Sequence, residues 1–221
     1  MRALEPVNGP QLSDPTRVRY NVEAMVRSDV QLMLDVKATG DEVSFELLLR
    51  KYRCPLVNFL ARMVRDRGMA EELAQEVFLR VYRARKGYAP SAKFTTWMFR
   101  IASNLALNAI RDGRYRQLEI SMDQSVEIGD DRAPSWEVAD RRPGAEQELI
   151  ARDRAAIIQR AIEQLPDKQR AAVLLHKYQE LDYDEIARIL ECSEAALKSL
   201  LFRAYETLRV QLAPLVGQQK S

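Results

Sequence analysis

The chain has 221 residues, 47% of them hydrophobic, and a formal net charge of +2, which is enough to bury one or two modest cores. Its two cysteines, Cys54 and Cys192, lie far apart without CxxC spacing, which argues against a disulfide framework or a thiolate metal site. No apolar run reaches membrane-spanning length and no charged-then-apolar leader opens the chain, so a cytoplasmic protein without membrane insertion is predicted.

The near-neutral total conceals blocks. Net charge is 0 over residues 1–40, +7 over 41–117, −6 over 118–150 and +1 over 151–221, the pattern of a basic unit, an acidic connector and a neutral unit. Residues 1–27 mix Pro, Asn, Gly and charge without periodicity and read as a flexible tail. Ser28 begins a short helix to about Ala38, with Gly40 as its stop and Asp41 as a new start. From Phe45 to Val64 the apolar residues Leu48, Leu49, Tyr52, Leu56, Phe59, Leu60 and Met63 are helically spaced. Pro55 in their midst lacks a backbone donor and predicts a kink or a break.

A further helix follows Gly68 and is predicted to stop near Gly87. Leu73, Val77 and Val81 recur at four-residue steps beside Ala70 and Ala74, while Glu72, Glu76 and Arg80 line the other side. After a loop from Tyr88 to Lys93, a long helix is predicted from about Thr95 to Asp112. Trp97, Ile101, Leu105 and Ala109 form one stripe; Arg100, Asn104, Asn108 and Arg111 form another. Trp97 therefore reads as core before it reads as a stacking platform.

Residues 118–148 contain Gly129-Asp130-Asp131, Pro134 and Pro143-Gly144 among many acids, and read as a flexible acidic linker. Helical spacing returns at about Gln147 and persists to Leu212, broken at Leu165-Pro166, Leu181-Asp182 and Cys192-Ser193. With no sustained two-residue alternation anywhere, the predicted class is all-α. Two small helical domains, 28–117 and 149–214, flank the linker.

Asp182 and Glu185 have capping-box spacing at the start of a helix to Leu190, and Ser193 can cap the next. Two helices across so short a turn have helix-turn-helix spacing. Ile186, Leu190, Leu197 and Leu201 supply a shared core, with small Ala187 where the helices cross. The outward residues are Lys198, Ser199, Phe202, Arg203 and Glu206, a face for a DNA major groove. An ordinary helical hairpin fits the same spacing, and Glu191 stands at the turn where glycine is easiest, since a left-handed backbone costs a residue with a Cβ about 1–2 kcal/mol.

Two blocks of residues resemble one family. Met69 to Phe78 is similar to its pattern Asp-Ala-Glu-Asp-Leu-Val-Gln-Glu-Val-Phe, keeping Ala70, Glu71, Leu73, Gln75, Glu76 and Phe78, and the match continues at Phe94, Thr96, Trp97, Ile101, Ala102 and Asn104. Further on, Leu165-Pro166, Gln169-Arg170, Glu185-Ile186-Ala187 and Lys198-Ser199 match in the same order. The chain thus resembles a bacterial RNA polymerase sigma factor of the extracytoplasmic-function type. That resemblance implies a first domain (sigma region 2) that binds core RNA polymerase and the −10 element, and a second (region 4) that reads the −35 element of promoter DNA.

It implies that Glu71, Glu72, Gln75, Glu76 and Arg80 face the polymerase clamp. Tyr88, Lys93, Arg100, Asn104, Asn108 and Arg111 would meet the −10 strand, by stacking, amide readout and phosphate contact. Lys198, Ser199, Phe202 and Arg203 would meet the −35 duplex. The linker would thread the polymerase channels, and an anti-sigma factor is the expected regulator. Leu200, Phe202 and Tyr205 depart from the polar residues usual in that recognition helix. They motivate an alternative, a sigma mimic that titrates an anti-sigma factor without reading DNA; a stand-alone helix-turn-helix repressor leaves the acidic helix unexplained. The lone His176, amid Leu174, Leu175 and Tyr178, reads as packing or surface. With no phosphate loop, metal cluster or paired nucleophile, neither an enzyme nor a cofactor is predicted.

Overall fold

A computed structural model describes residues 27–123 and 145–217. Eight α-helices and no strand occur among the described residues: α1 Asp29–Thr39, α2 Glu42–Val64, α3 Arg67–Arg83, α4 Phe94–Asp123, α5 Ala145–Glu163, α6 Asp167–Tyr178, α7 Tyr183–Ile189 and α8 Glu194–Gly217. The all-α class and the helix-turn-helix expected from the sequence are both present. The tail before Arg27 and linker residues 124–144 lie outside the described residues.

The helix starts follow local chemistry. Ser28, Asp41 and Asp66 each accept a backbone N–H of the first turn with the side chain, satisfying a donor that the helix itself leaves orphaned. Gly40 ends α1 at φ 74°, the left-handed conformation that glycine adopts without a steric penalty. The Asp182–Glu185 capping box opens α7, with the Asp182 N–H bonded to Glu185 Oε2 at 3.1 Å.

Two expectations about helix ends need correction. Pro55 does not split α2, which runs unbroken through it. Tyr52, Leu56, Val57, Phe59 and Leu60 are buried on either side, so tertiary burial holds together what one missing hydrogen bond would loosen. The long helix does not stop at Asp112 but continues to Asp123. Gly113 costs about 1 kcal/mol against alanine, too little to end a helix with no proline nearby. The acidic linker is correspondingly shorter, because α4 and α5 occupy residues 118–123 and 145–148.

In the N-terminal domain α2 packs on α1, α3 and α4, and the fully buried Leu48, Leu56, Leu60, Met63, Val77, Val81 and Met98 form its centre. In the C-terminal domain α8 packs on α5, α6 and α7. All five residues assigned to the helix-turn-helix core, Ile186, Ala187, Leu190, Leu197 and Leu201, are buried. The turn places Glu191 at φ 52°, the left-handed geometry anticipated there.

The two domains pack against each other along α2–α6 and α4–α7. Arg170 on α6 is central to this contact. Its guanidinium donates to the carbonyls of Met63 at 2.7 Å, Glu163 at 2.9 Å and Leu165 at 3.0 Å, and an ion pair to Asp167 spans 3.5 Å. Met63 lies in the last turn of α2, and Glu163 ends α5, so one cation satisfies orphaned carbonyls at two helix C-termini, where positive charge is favoured. Arg65 also donates to the Glu163 carbonyl, and the Arg62 guanidinium sits 3.7 Å from the centre of the Tyr178 ring.

Arg170→Met removes the donors that these buried carbonyls require. The expected loss is about 3 kcal/mol or more, seen as a lower urea midpoint, with the domains unfolding in separate steps where the wild type unfolds in one.

Candidate nucleic-acid interface

Arg100, Asn104, Asn108 and Arg111 recur along α4 and are all exposed, so the helix presents the polar row that its spacing predicts. The opposite side is anchored by fully buried Phe94, Met98, Phe99, Ala102 and Ala106. The stripe expected to be core is less deeply placed: Leu105 is buried, while Trp97, Ile101 and Ala109 are half-buried. Trp97 contacts the Phe94 ring edge-on at 6.3 Å and the Tyr88 ring at 5.1 Å.

Tyr88 needs correction as a base-stacking residue. It is 3% exposed, packed behind Trp97, and burial followed by the nearby Asp29 carboxylate pushes its phenol above the ordinary tyrosine value. Its role here is to support Trp97. Its carbonyl accepts a 2.6 Å hydrogen bond from Lys37 Nζ on α1, a contact 51 positions apart in sequence that spacing cannot disclose. Between this loop and the start of α4 lies a cavity of about 580 Å³, bordered by Tyr88, Ser91, Thr96, Trp97 and Arg100, with Arg188 of α7 as its far wall.

Lys93 and Arg100 are exposed but occupied. Lys93 Nζ lies 3.2 Å from both carboxylate oxygens of Glu185, and Thr96 Oγ1 donates to the same group at 3.1 Å. Burial alone would raise the Glu185 carboxyl, but the Asp182 N–H, Lys93 and Thr96 together hold it below the ordinary glutamate value. Arg100 donates to Glu191 Oε1 through Nε at 2.9 Å and Nη2 at 2.6 Å.

On α3, Glu71, Glu72, Gln75 and Arg80 are exposed and Glu76 is half-exposed. Arg80 pairs with Glu76 at 2.7 Å and Arg67 with Glu71 at 3.2 Å. Beside this polar row runs an apolar groove of about 750 Å³ between α2 and α3, bordered by Phe45, Leu49, Val57, Phe78, Leu79 and Tyr82. Leu79 is 49% exposed. The sequence signal for the groove is Leu79, an apolar residue of α3 that lies outside the buried stripe.

On α8, Lys198, Ser199, Phe202 and Arg203 are exposed together. Lys198 pairs with Glu194 at 2.9 Å, and the Ser199 hydroxyl donates to the Ala195 carbonyl. Of the three departures from the usual recognition helix, only Phe202 points fully outward, at 69% exposure. Leu200 and Tyr205 are half-buried. The Tyr205 hydroxyl shares a 2.7 Å hydrogen bond with His176 Nδ1, which makes both residues part of the packing between α6 and α8.

Comparison with known proteins supplies the context for this geometry. Residues 48–116 match the pattern described as Sigma-70 region 2, and residues 155–208 match Sigma-70, region 4. The chain is 30% identical over 192 residues to the RNA polymerase sigma-H factor of Pseudomonas aeruginosa, covering 86% of this chain and 96% of that protein. It is 28% identical over 186 residues to the ECF RNA polymerase sigma-E factor of Escherichia coli, covering 84% and 95%. Its fold is similar to that of the sigma factor RpoE of Bartonella quintana, solved with the anti-sigma factor NepR (TM-score 0.59, 20% identity, 76% of this chain and 96% of that one). It is also similar to CnrH, solved with the cytosolic domain of CnrY (TM-score 0.59, 18% identity, 85% and 99%).

Lys37→Met removes the only described side-chain donor to the Tyr88 carbonyl. Amide exchange across residues 88–92 is expected to rise roughly fivefold to tenfold, about 1 kcal/mol of local opening, with little change in global melting temperature.

Proposed function

The chain belongs to the sigma-70 family of RNA polymerase sigma factors, in its extracytoplasmic-function branch, and on that footing we propose how its surfaces divide the work. It is a promoter-specificity factor: it binds core RNA polymerase and directs it to promoter DNA. The work is recognition without catalysis, carried out in the cytoplasm; no helix among the described residues is long and apolar enough to cross a membrane.

The polymerase clamp meets the α3 row of Glu71, Glu72, Gln75, Glu76 and Arg80. An acidic row next to an apolar groove suits a basic amphipathic helix, whose charges would steer docking while its apolar edge takes the groove. The same kind of surface is open to an anti-sigma factor, the second partner expected of this family. The −10 strand meets Lys93, Arg100, Asn104, Asn108 and Arg111. The cations take phosphates, and the two amides can read the edges of unstacked bases. The observation that carries this reading is the uninterrupted exposed polar row on α4, backed by a fully buried apolar side.

The −35 duplex meets Lys198, Ser199, Phe202 and Arg203. Tyr205 packs against the domain core and bonds His176, so it does not take a place on the DNA face, while Leu200 is half-buried beside it. Phe202 remains as an apolar contact, suited to a thymine methyl in the major groove. The sigma-mimic alternative thereby keeps Leu200 and Phe202 of the three residues that motivated it.

Core polymerase is expected to co-elute with the wild-type chain and to lose it when Gln75→Ala and Glu76→Arg are combined; co-elution of that variant would remove the α3 row from the docking surface. Asn104→Ala should lower transcription from a cognate promoter by roughly tenfold, the scale of one lost base contact, without changing polymerase binding. Loss of both together would mark Asn104 as structural.

A further inference from the structure

The α2–α3 groove joins an apolar floor to an acidic rim. Phe45 and Tyr82 are half-buried, with ring centres 5.1 Å apart, and Leu79 lies half in solvent beside them. Glu42, Glu46 and Glu71 border the groove with Arg53, three acids against one cation and so a net of −2. Arg50 and Arg67 pair with Glu46 and Glu71, but these are exposed helix pairs of little strength. The chain supplies a segment of matching character before Arg27, where residues 1–26 lie outside the described residues. Residues 17–22 read Arg-Val-Arg-Tyr-Asn-Val: Arg17 and Arg19 with no acid, a net of +2, beside Val18, Tyr20 and Val22. The first fifteen residues set Arg2 against Glu5 and Asp14 and contain Pro6, Pro10 and Pro15, so they offer no surplus of cations.

The segment also starts from the right place. Ser28 caps α1, and the next residue, Asp29, is held on α2 by Lys51 Nζ at 2.6 Å and 2.8 Å and by the Tyr52 hydroxyl. Leu49 and Arg53, which border the groove, stand within two residues of that anchor on the same helix. Passing from one face of α2 to the other is half its girth, roughly 15–20 Å for a helix about 10–12 Å across. Residues 17–26 reach roughly 33 Å when extended.

Building on the assignment of the α3 row to core polymerase, we propose that residues 17–22 seat in the α2–α3 groove of the same chain and compete there with polymerase. Arg17 and Arg19 take the acidic rim, and Val18, Tyr20 and Val22 take the apolar floor. A weak contact suffices, because a short tether holds the segment at an effective concentration near millimolar. A segment that fills the groove about four times in five leaves about one-fifth of the chains open, which lowers the apparent affinity for polymerase about fivefold. The tail thereby sets a threshold that a partner on α3 must exceed.

The test combines a distance and an affinity in the full-length chain. Spin labels are placed at Thr16→Cys, just before the segment, and at Arg83→Cys, exposed at the end of α3, with Cys54 and Cys192 replaced by Ser. The free chain should give one short, narrow distance that core polymerase broadens; a broad distance in the free chain overturns the proposal. A short distance found only when the two labels sit on different molecules assigns the groove to a second copy and overturns it equally. Val18→Ser, Tyr20→Ser and Val22→Ser together leave the charge unchanged, and should broaden the distance and raise affinity for core polymerase about fivefold. Arg17→Glu with Arg19→Glu should broaden it as well, whereas Arg2→Glu should leave both readouts at the wild-type value. Broadening without any gain in affinity overturns the competition. The Gln75→Ala, Glu76→Arg variant separates the two levels: if it still co-elutes with polymerase while the narrow distance persists, the α3 docking assignment fails and the tail contact stands.

Discussion

One buried guanidinium sets the relation between the two halves of this molecule. Arg170 is 2% exposed and reaches the carbonyls of Met63 and Glu163, at the ends of one helix from each domain, and that of Leu165 just beyond the second. Orphaned carbonyls at a helix C-terminus need donors, and a buried arginine needs acceptors; here each requirement meets the other. Because the acceptors come from both domains, their mutual orientation is tied to a residue that neither domain could leave unpaired at little cost. The α4–α7 contact and the carboxylates that reach Lys93 and Arg100 follow from that orientation.

The contrast between these two contacts bears on function. The Arg170 contact is buried and its loss is costly, while the Glu185 and Glu191 contacts involve exposed cations and are individually weak. The α3 row and the α2–α3 groove lie away from both contacts, so a partner can engage them without displacing either.

Much of the fold was legible because it is local. Ser28, Asp41 and the Asp182–Glu185 box announce helix starts within four residues, and Ile186, Leu190, Leu197 and Leu201 share a core because their spacing leaves them no other face. The polar row on α4 was legible for the same reason. The helix ends were not, since Pro55 and Gly113 are overridden by burial and by favourable neighbours. Nor were contacts of long sequence separation: Lys37 on the Tyr88 carbonyl, Arg170 on Met63, and Glu185 on Lys93 join residues 51, 107 and 92 positions apart. Tyr88 was assigned to the DNA surface by its position in a family pattern, and only its packing behind Trp97 shows why that residue is aromatic.

The central claim is that this chain directs core polymerase to open promoter DNA with the α4 face. Its most direct test is permanganate footprinting of unpaired thymines on promoters selected from genomic fragments by the reconstituted holoenzyme. The account predicts reactive thymines around the −10 element only when chain and core polymerase are both present, at promoters that also carry a protected −35 element. Duplex that stays unreactive with a bound, intact holoenzyme would contradict it.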